Sequence, residues 1–203
     1  MQTEIEIKLE LTPKIEKIIA AFLKENSKIE KETHHIEYYL DNPKSTFFIK
    51  SKEGFKDAID YLRVRFTKKG DSICLKHWIR DKKTGKTTHC DEYETKVESG
   101  QITLELLEQI GFTNNTKIDK TRKIYNYKDF EIAIDSVKGL GKFMEVELKK
   151  KVKQPKDGIK EIYNFLLSLD IKTINKMERG YVSMMWNKEY DFGEKINLAS
   201  EVL

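Results

Sequence analysis

Cysteine and proline are scarce here, with two and three occurrences in 203 residues. Two cysteines, Cys74 and Cys90, are too few for a disulfide framework, and no stretch has the make-up of a secretory signal peptide. No apolar run approaches the roughly 20 residues needed to cross a bilayer, so no membrane span is expected. A strong charge excess is missing as well. The 38 basic residues against 34 acidic ones leave +4, which excludes a polybasic nucleic-acid arm. No Pro/Gly/Ser-rich linker interrupts the chain. It therefore reads as one domain over 1–203, with a long connection at 42–60 and a tail at 187–203. A reducing cytoplasm is the expected setting.

What abounds is charge of both signs, 35% of the residues, and its placement carries the argument. The four histidines (His34, His35, His77, His89) and two cysteines match no zinc spacing. His89-Cys90 is a minor metal candidate, with packing the simpler reading.

Four helices stand out. The first follows Thr12-Pro13, with Ile15, Ile18, Ile19, Phe22 and Leu23 in one stripe. The second covers about 101–110 and stops at Gly111. A third follows Pro155, and a fourth runs near 179–186. Strand-like runs fall at 3–10, 35–41, 60–67, 72–80, 90–97, 121–127, 129–135 and 143–150. Eight strands joined by short turns point to an α+β protein built on a mostly antiparallel meander, and eight is a natural number for a small closed barrel. A short capping helix is expected within 42–60.

The first strand, TEIEIKL, puts Ile5, Ile7 and Leu9 on one face and Glu4, Glu6 and Lys8 on the other. The Glu-x-Glu-x-Lys spacing returns at Glu92-Glu94-Lys96 and at Glu145-Glu147-Lys149. Arg63 and Arg65 share a face of YLRVRF, Lys76 interrupts ICLKHW, Lys120 and Arg122 stand two apart, and Asp135 ends FEIAID. A solvated sheet face is the simpler explanation for any one of these strands. Like charges at i and i+2, about 7 Å apart, nevertheless repel by roughly 0.6 kcal/mol in water and about 2.4 at an effective dielectric of 20. Thr, Ser or Gln would avoid that. A closed barrel would turn these faces into a lumen that must be wet, internally paired or filled by ligands. Carboxylates suit Mg2+ or Mn2+, and guanidinium and ammonium groups suit phosphate oxygens. A metal-chelated polyphosphate satisfies both.

In this order the residues resemble the CYTH family, the triphosphate tunnel metalloenzymes, which joins class IV (CyaB-type) adenylyl cyclases with thiamine triphosphatase. The resemblance covers about residues 4–186. It rests on Glu4-x-Glu6-x-Lys8, Leu-Arg63-x-Arg65, Lys76, Lys120-x-Arg122, and Asp135 followed by GLGKFMEVE. It implies an eight-stranded antiparallel barrel with helices outside and a triphosphate inside. Glu4, Glu6, Glu145 and Glu147 would then ligate Mg2+ or Mn2+, while Lys8, Arg63, Arg65, Lys76, Lys120 and Arg122 hold phosphates. Lys8 and Asp135 are the catalytic candidates, Asp135 orienting a water on the metal or a basic side chain. Glu92 and Glu94 match an acidic strand of the family.

The GLGKF piece is closer to the cyclase branch, so conversion of ATP to cyclic AMP and pyrophosphate is the expected reaction. The alternative is hydrolysis of inorganic, nucleoside or thiamine triphosphate. Phe66, Trp78 and Tyr39 are candidates for contacting adenine. Two rival classes are weaker: a non-catalytic polyphosphate- or nucleotide-binding module would not need the carboxylates, and nucleic-acid binding would need an exposed basic face. A homodimer stays open.

Overall fold

The computed structural model describes residues 5–51, 53–80 and 87–202. In chain order the elements are β1 (Ile5–Glu10), α1 (Pro13–Asn26), β2 (Ile29–Asp41), β3 (Phe48–Lys50), β4 (Lys56–Ala58), β5 (Asp60–Thr67), β6 (Asp71–Arg80) and β7 (Thr87–Val97). They continue with α2 (Gly100–Gln109), β8 (Thr113–Tyr127), β9 (Phe130–Val137), β10 (Gly141–Leu148), α3 (Pro155–Ser168), β11 (Thr173–Met177), α4 (Tyr181–Trp186), β12 (Gly193–Asn197) and α5 (Leu198–Val202). All eight expected strands and all four expected helices are present.

The chain forms two compact units. The first comprises Met1–Thr33, Lys120–Gly180 and Asp191–Leu203, and the second His34–Asp119 and Tyr181–Tyr190.

In the first unit the strands run β12-β11-β1-β10-β9-β8. The pairs β1–β10, β1–β11, β9–β10, β11–β12 and β8–β9 are antiparallel, with Lys8 opposite Glu145 and Arg122 opposite Asp135. Alternation works as the sequence requires. Ile5, Ile7 and Leu9 join Ile132, Met144, Val146 and Leu148 in one core, covered by Ile15, Ile19 and Leu23 of α1 and by Ile162 and Leu166 of α3. Thr12 caps α1, accepting from the Ile15 amide, and Pro13 sits in its first turn. α3 approaches β1 closely because Gly158 has no side chain; a Cβ there would stand 2.8 Å from Ile5 Cδ1. The helices thus occupy the apolar side, leaving Glu6, Lys8, Arg122, Asp135, Glu145 and Glu147 on the other.

In the second unit β2, β5, β6 and β7 follow one another antiparallel. Leu40, Leu62 and Val64 pack with Leu104 of α2. The neighbouring positions Glu37, Tyr39, Arg63, Arg65 and Cys74 face the opposite way.

Three expectations require correction. The sheet does not close into a barrel in either unit: among the described residues β12 lies at one end of the first unit's strand order and β7 at one end of the second's. β1, which would have to pair with barrel strands on both edges, has β10 on one and β11 on the other. Second, the described residues hold twelve strands rather than eight. Two of the extra strands, β11 and β12, pair with each other through Ile174 and Ile196, so the tail from Asp191 onward is built into the first unit. Third, the described residues of the 42–60 segment carry no helix. It forms the β3–β4 ladder, with Phe48 opposite Ala58, because Asp41 accepts from Thr46 and from the Phe47 amide and turns the chain there.

Candidate functional site

The charged side of the first unit is one connected network. Arg122 donates from Nε to Asp135 Oδ1 at 2.7 Å and from Nη2 to Asp135 Oδ2. The same Nη2 also reaches Glu145 Oε2, while Lys8 Nζ lies 3.1 Å from Glu145 Oε1. Both oxygens of Glu145 are therefore engaged by cations. Asp135 is fully buried, an arrangement tolerable for a carboxylate only with such a bidentate partner. Glu147 accepts from Lys149 at 2.9 Å, and that hydrogen bond is the main cause of a raised Lys149 pKa. Glu6 stands opposite Glu147 in the β1–β10 ladder. Lys120 lies two residues before Arg122, half-buried on the same face. The tight turn after β9 needs glycine: Gly139 and Gly141 have φ of 82° and 117°, so the GLGKF piece sets the start of β10.

The second unit repeats the theme with a different acid at its centre. Glu37 is 1% exposed. It accepts from Arg65 Nε at 2.8 Å and from the Tyr39 hydroxyl at 3.0 Å, with Arg63 Nη1 at 3.5 Å. Glu94 lies across the same two arginines, 3.7 Å from Arg63 Nη2 and 3.6 Å from Arg65 Nη1. Lys76 pairs with Glu92, its direct partner in the β6–β7 ladder. Burial works against the Arg63 cation, but Glu37 and its other neighbours more than offset it, and its pKa lies above the ordinary value. Burial pushes the Tyr39 hydroxyl far up, with Glu37 adding to the shift. Burial likewise raises the Cys74 thiol.

Of the expected metal ligands, Glu4 lies outside the described residues. Glu6, Glu145 and Glu147 share a face, but they do not converge as a ready ligand set among the described residues. The one such group there is Cys74, Glu92 and Glu94, whose ligand atoms lie within 4.8 Å of one another. The oxygens of Glu6, Glu145 and Glu147 suit Mg2+ or Mn2+ by chemistry, provided Glu145 and Glu147 turn away from their cations. The phosphate candidates Lys8, Lys120 and Arg122 fall in the first unit, and Arg63, Arg65 and Lys76 in the second. Phe66 is misplaced as an adenine contact: it packs edge-on against Tyr38 on the apolar side. Tyr39 is on the charged side, and the side chains of Trp78, His89 and Cys90 lie outside the described ones. Sequence reading missed Glu37 and Cys74. Glu37 was signalled by the alternation of HIEYYLD, in which Glu37, Tyr39 and Asp41 share a face.

The CYTH domain model matches residues 2–181. The chain belongs to the CYTH family. A protein of Methanocaldococcus jannaschii named "Putative adenylate cyclase" is 26% identical over 182 residues, spanning 89% of this chain and 97% of that one. Among solved structures, a Pyrococcus horikoshii protein aligns over 92% of this chain and 99% of its own, at 23% identity and a TM-score of 0.64. A Hippeastrum protein, described as an adenylyl cyclase candidate with a dominant triphosphatase activity, aligns over 90% and 94%, at 18% identity and a TM-score of 0.61. At such identities the two structures speak for the fold. No described helix of this CYTH protein is long and apolar enough to cross a membrane.

Proposed function

We propose that this protein is a divalent-metal-dependent enzyme acting on a triphosphate, and that its reaction is conversion of ATP to cyclic AMP and pyrophosphate. The observation that carries the reading is Glu145, whose two oxygens are held by Lys8 and Arg122. Carboxylate and cations meet at one point, and a metal with a phosphate chain is the ligand that satisfies both sets. Glu4, Glu6, Glu145 and Glu147 are the proposed metal ligands. Bound Mg2+ or Mn2+ would neutralise phosphate oxygens as a Lewis acid. Lys8, Lys120, Arg122, Arg63, Arg65 and Lys76 are the proposed phosphate-binding cations, Lys8 also stabilising charge at the reacting phosphate. Asp135 acts through Arg122, fixing its guanidinium plane. Cyclisation further requires the ribose 3′-oxygen aligned on the α-phosphorus.

The name of the archaeal relative favours the cyclase reaction, and the activity described for the Hippeastrum protein favours hydrolysis. Phosphorus NMR of the protein with ATP and Mg2+ or Mn2+ separates them. Pyrophosphate with a cyclic phosphodiester is the expected outcome. Orthophosphate and ADP would replace the cyclase by a triphosphatase. No turnover of ATP, inorganic triphosphate or thiamine triphosphate with either metal would overturn the enzyme reading.

A further inference from the structure

Arg63 and Arg65 are held by two carboxylates of very different character. Glu37 lies beneath them, 1% exposed, and makes the short contacts: 2.8 Å from Arg65 Nε, 3.0 Å from the Tyr39 hydroxyl. Glu94 approaches from the last strand at 3.6 and 3.7 Å, with 38% of its side chain exposed and a second hydrogen bond from the Ser72 hydroxyl at 2.8 Å. The strand register explains both. Glu37 is opposite Arg65 in the β2–β5 ladder, Arg63 is opposite Cys74, and Cys74 is opposite Glu94. A small residue between Arg63 and Glu94 lets the carboxylate lean back over the guanidinium. Arg63 itself is 6% exposed, and its Nε is buried with no hydrogen-bond partner. A buried charged donor left open is costly, so this fork is incomplete as it stands.

We propose that Glu37 is the positioning residue that fixes the Arg63–Arg65 fork, and that Glu94 is the carboxylate a phosphate group displaces from it. The inference rests on the reading of these arginines as phosphate-binding. Glu37 is packed and tied on both oxygens, so it stays in place when ligand arrives. Glu94 makes only long ion contacts to the arginines, is open to water and carries the same charge and oxygen chemistry as the incoming group. A phosphate oxygen in its place restores the charge balance and offers an acceptor to the open Arg63 donor.

The two carboxylates must then act in opposite directions, although each contributes one negative charge. A simple through-space effect would make Glu37→Gln and Glu94→Gln both bind anions more tightly. The proposal demands that Glu94→Gln bind inorganic tripolyphosphate tighter by up to about fivefold, the range of a solvated ion pair. Glu37→Gln should bind at least about tenfold weaker, in line with loss of a charge-assisted hydrogen bond. Calorimetric titration of the metal-free full chain with tripolyphosphate reads both, with far-UV circular dichroism checking the fold. Where Glu37→Gln fails to fold, Glu37→Asp decides: it keeps the charge, shortens the reach and should also weaken binding. Unchanged or tighter binding by the folded Glu37 variant, or unchanged or weaker binding by Glu94→Gln, overturns the proposal alone. If the wild-type protein takes up no tripolyphosphate, the phosphate reading of Arg63 and Arg65 falls, and this inference with it.

Discussion

Asp135 accepts two hydrogen bonds from Arg122, the residue directly opposite it in the β8–β9 ladder. The carboxylate is wholly buried, and the guanidinium is turned so that its Nη2 also serves Glu145. One buried acid thereby fixes the plane of a cation that the proposed chemistry needs.

Removing one partner strands the other. Arg122→Ala should cost about 3–5 kcal/mol, because the buried Asp135 carboxylate would lose its bidentate cationic partner. The double variant Arg122→Ala/Asp135→Ala should lose less than the sum of the two single changes, with a coupling within about 0.5–3 kcal/mol. Urea denaturation of all four proteins measures this. Strict additivity would show that the pair does not act as a unit.

Glu6→Gln and Glu147→Gln should abolish metal-dependent turnover while leaving the fold unchanged. An amide keeps the shape of the carboxylate and loses the strong oxygen ligand. Glu6 is exposed and Glu147 pairs with a half-exposed lysine, so metal-free stability should stay within about 1 kcal/mol of wild type. Phosphorus NMR and a thermal melt test the two halves of the statement. Full turnover by either variant removes that residue from the ligand set.

Tyr39 has its pKa raised by burial and by Glu37, so in the folded protein its hydroxyl stays protonated above the ordinary value of 10.0. Its contribution is complete below pH 10, where both states hold the proton. Above that the unfolded chain ionises first, and stability falls as pH rises, by up to about 1.4 kcal/mol per pH unit. Ultraviolet titration should find Tyr39 silent until the protein unfolds. Tyr39→Phe should flatten the alkaline loss of stability. An equally steep loss in that variant would place its cause elsewhere.

Gly158→Val tests the contact of α3 with β1. On a free helix the change would be mildly favourable relative to glycine. Here the new Cβ falls 2.8 Å from Ile5 Cδ1 and 3.0 Å from Ile5 Cγ2, so an overpacking loss of about 1–3 kcal/mol is expected. A variant melting at or above the wild-type temperature would mean that Ile5 yields without cost.

Alternation in TEIEIKL was enough to assign Ile5, Ile7 and Leu9 to the core, and all three are buried. The helix at Pro13 was equally legible, since Thr12, Pro13 and the isoleucine stripe agree. The hairpin at Phe48–Ala58 was not. Three-residue strands have no period to read, and the turn depends on Asp41 reaching ahead to Thr46 and Phe47. Nor was it legible that β11 would take the second edge of β1, because strand pairing distant in sequence leaves no local trace. In the candidate site, residue types pointed to cations and carboxylates, but not to which would meet. In the folded chain the register sets Lys8 against Glu145 and Lys76 against Glu92. Glu37 escaped because a lone acid between Ile36 and Tyr38 carries no motif: alternation gives its face, and burial gives its importance.

The mutual pairing of these charges has a consequence for how ligands compete. Each unit resembles an ion-exchange resin already loaded with its own counterions: Glu37 and Glu94 on the arginines, Glu145 on Lys8 and Arg122. A bare cationic patch attracts any polyanion and loses it steeply as salt rises. A loaded exchanger admits a bare polyanion only against its own carboxylates, and it binds best a ligand that also brings a cation for the displaced carboxylate. A metal–phosphate complex brings the two together in one ligand.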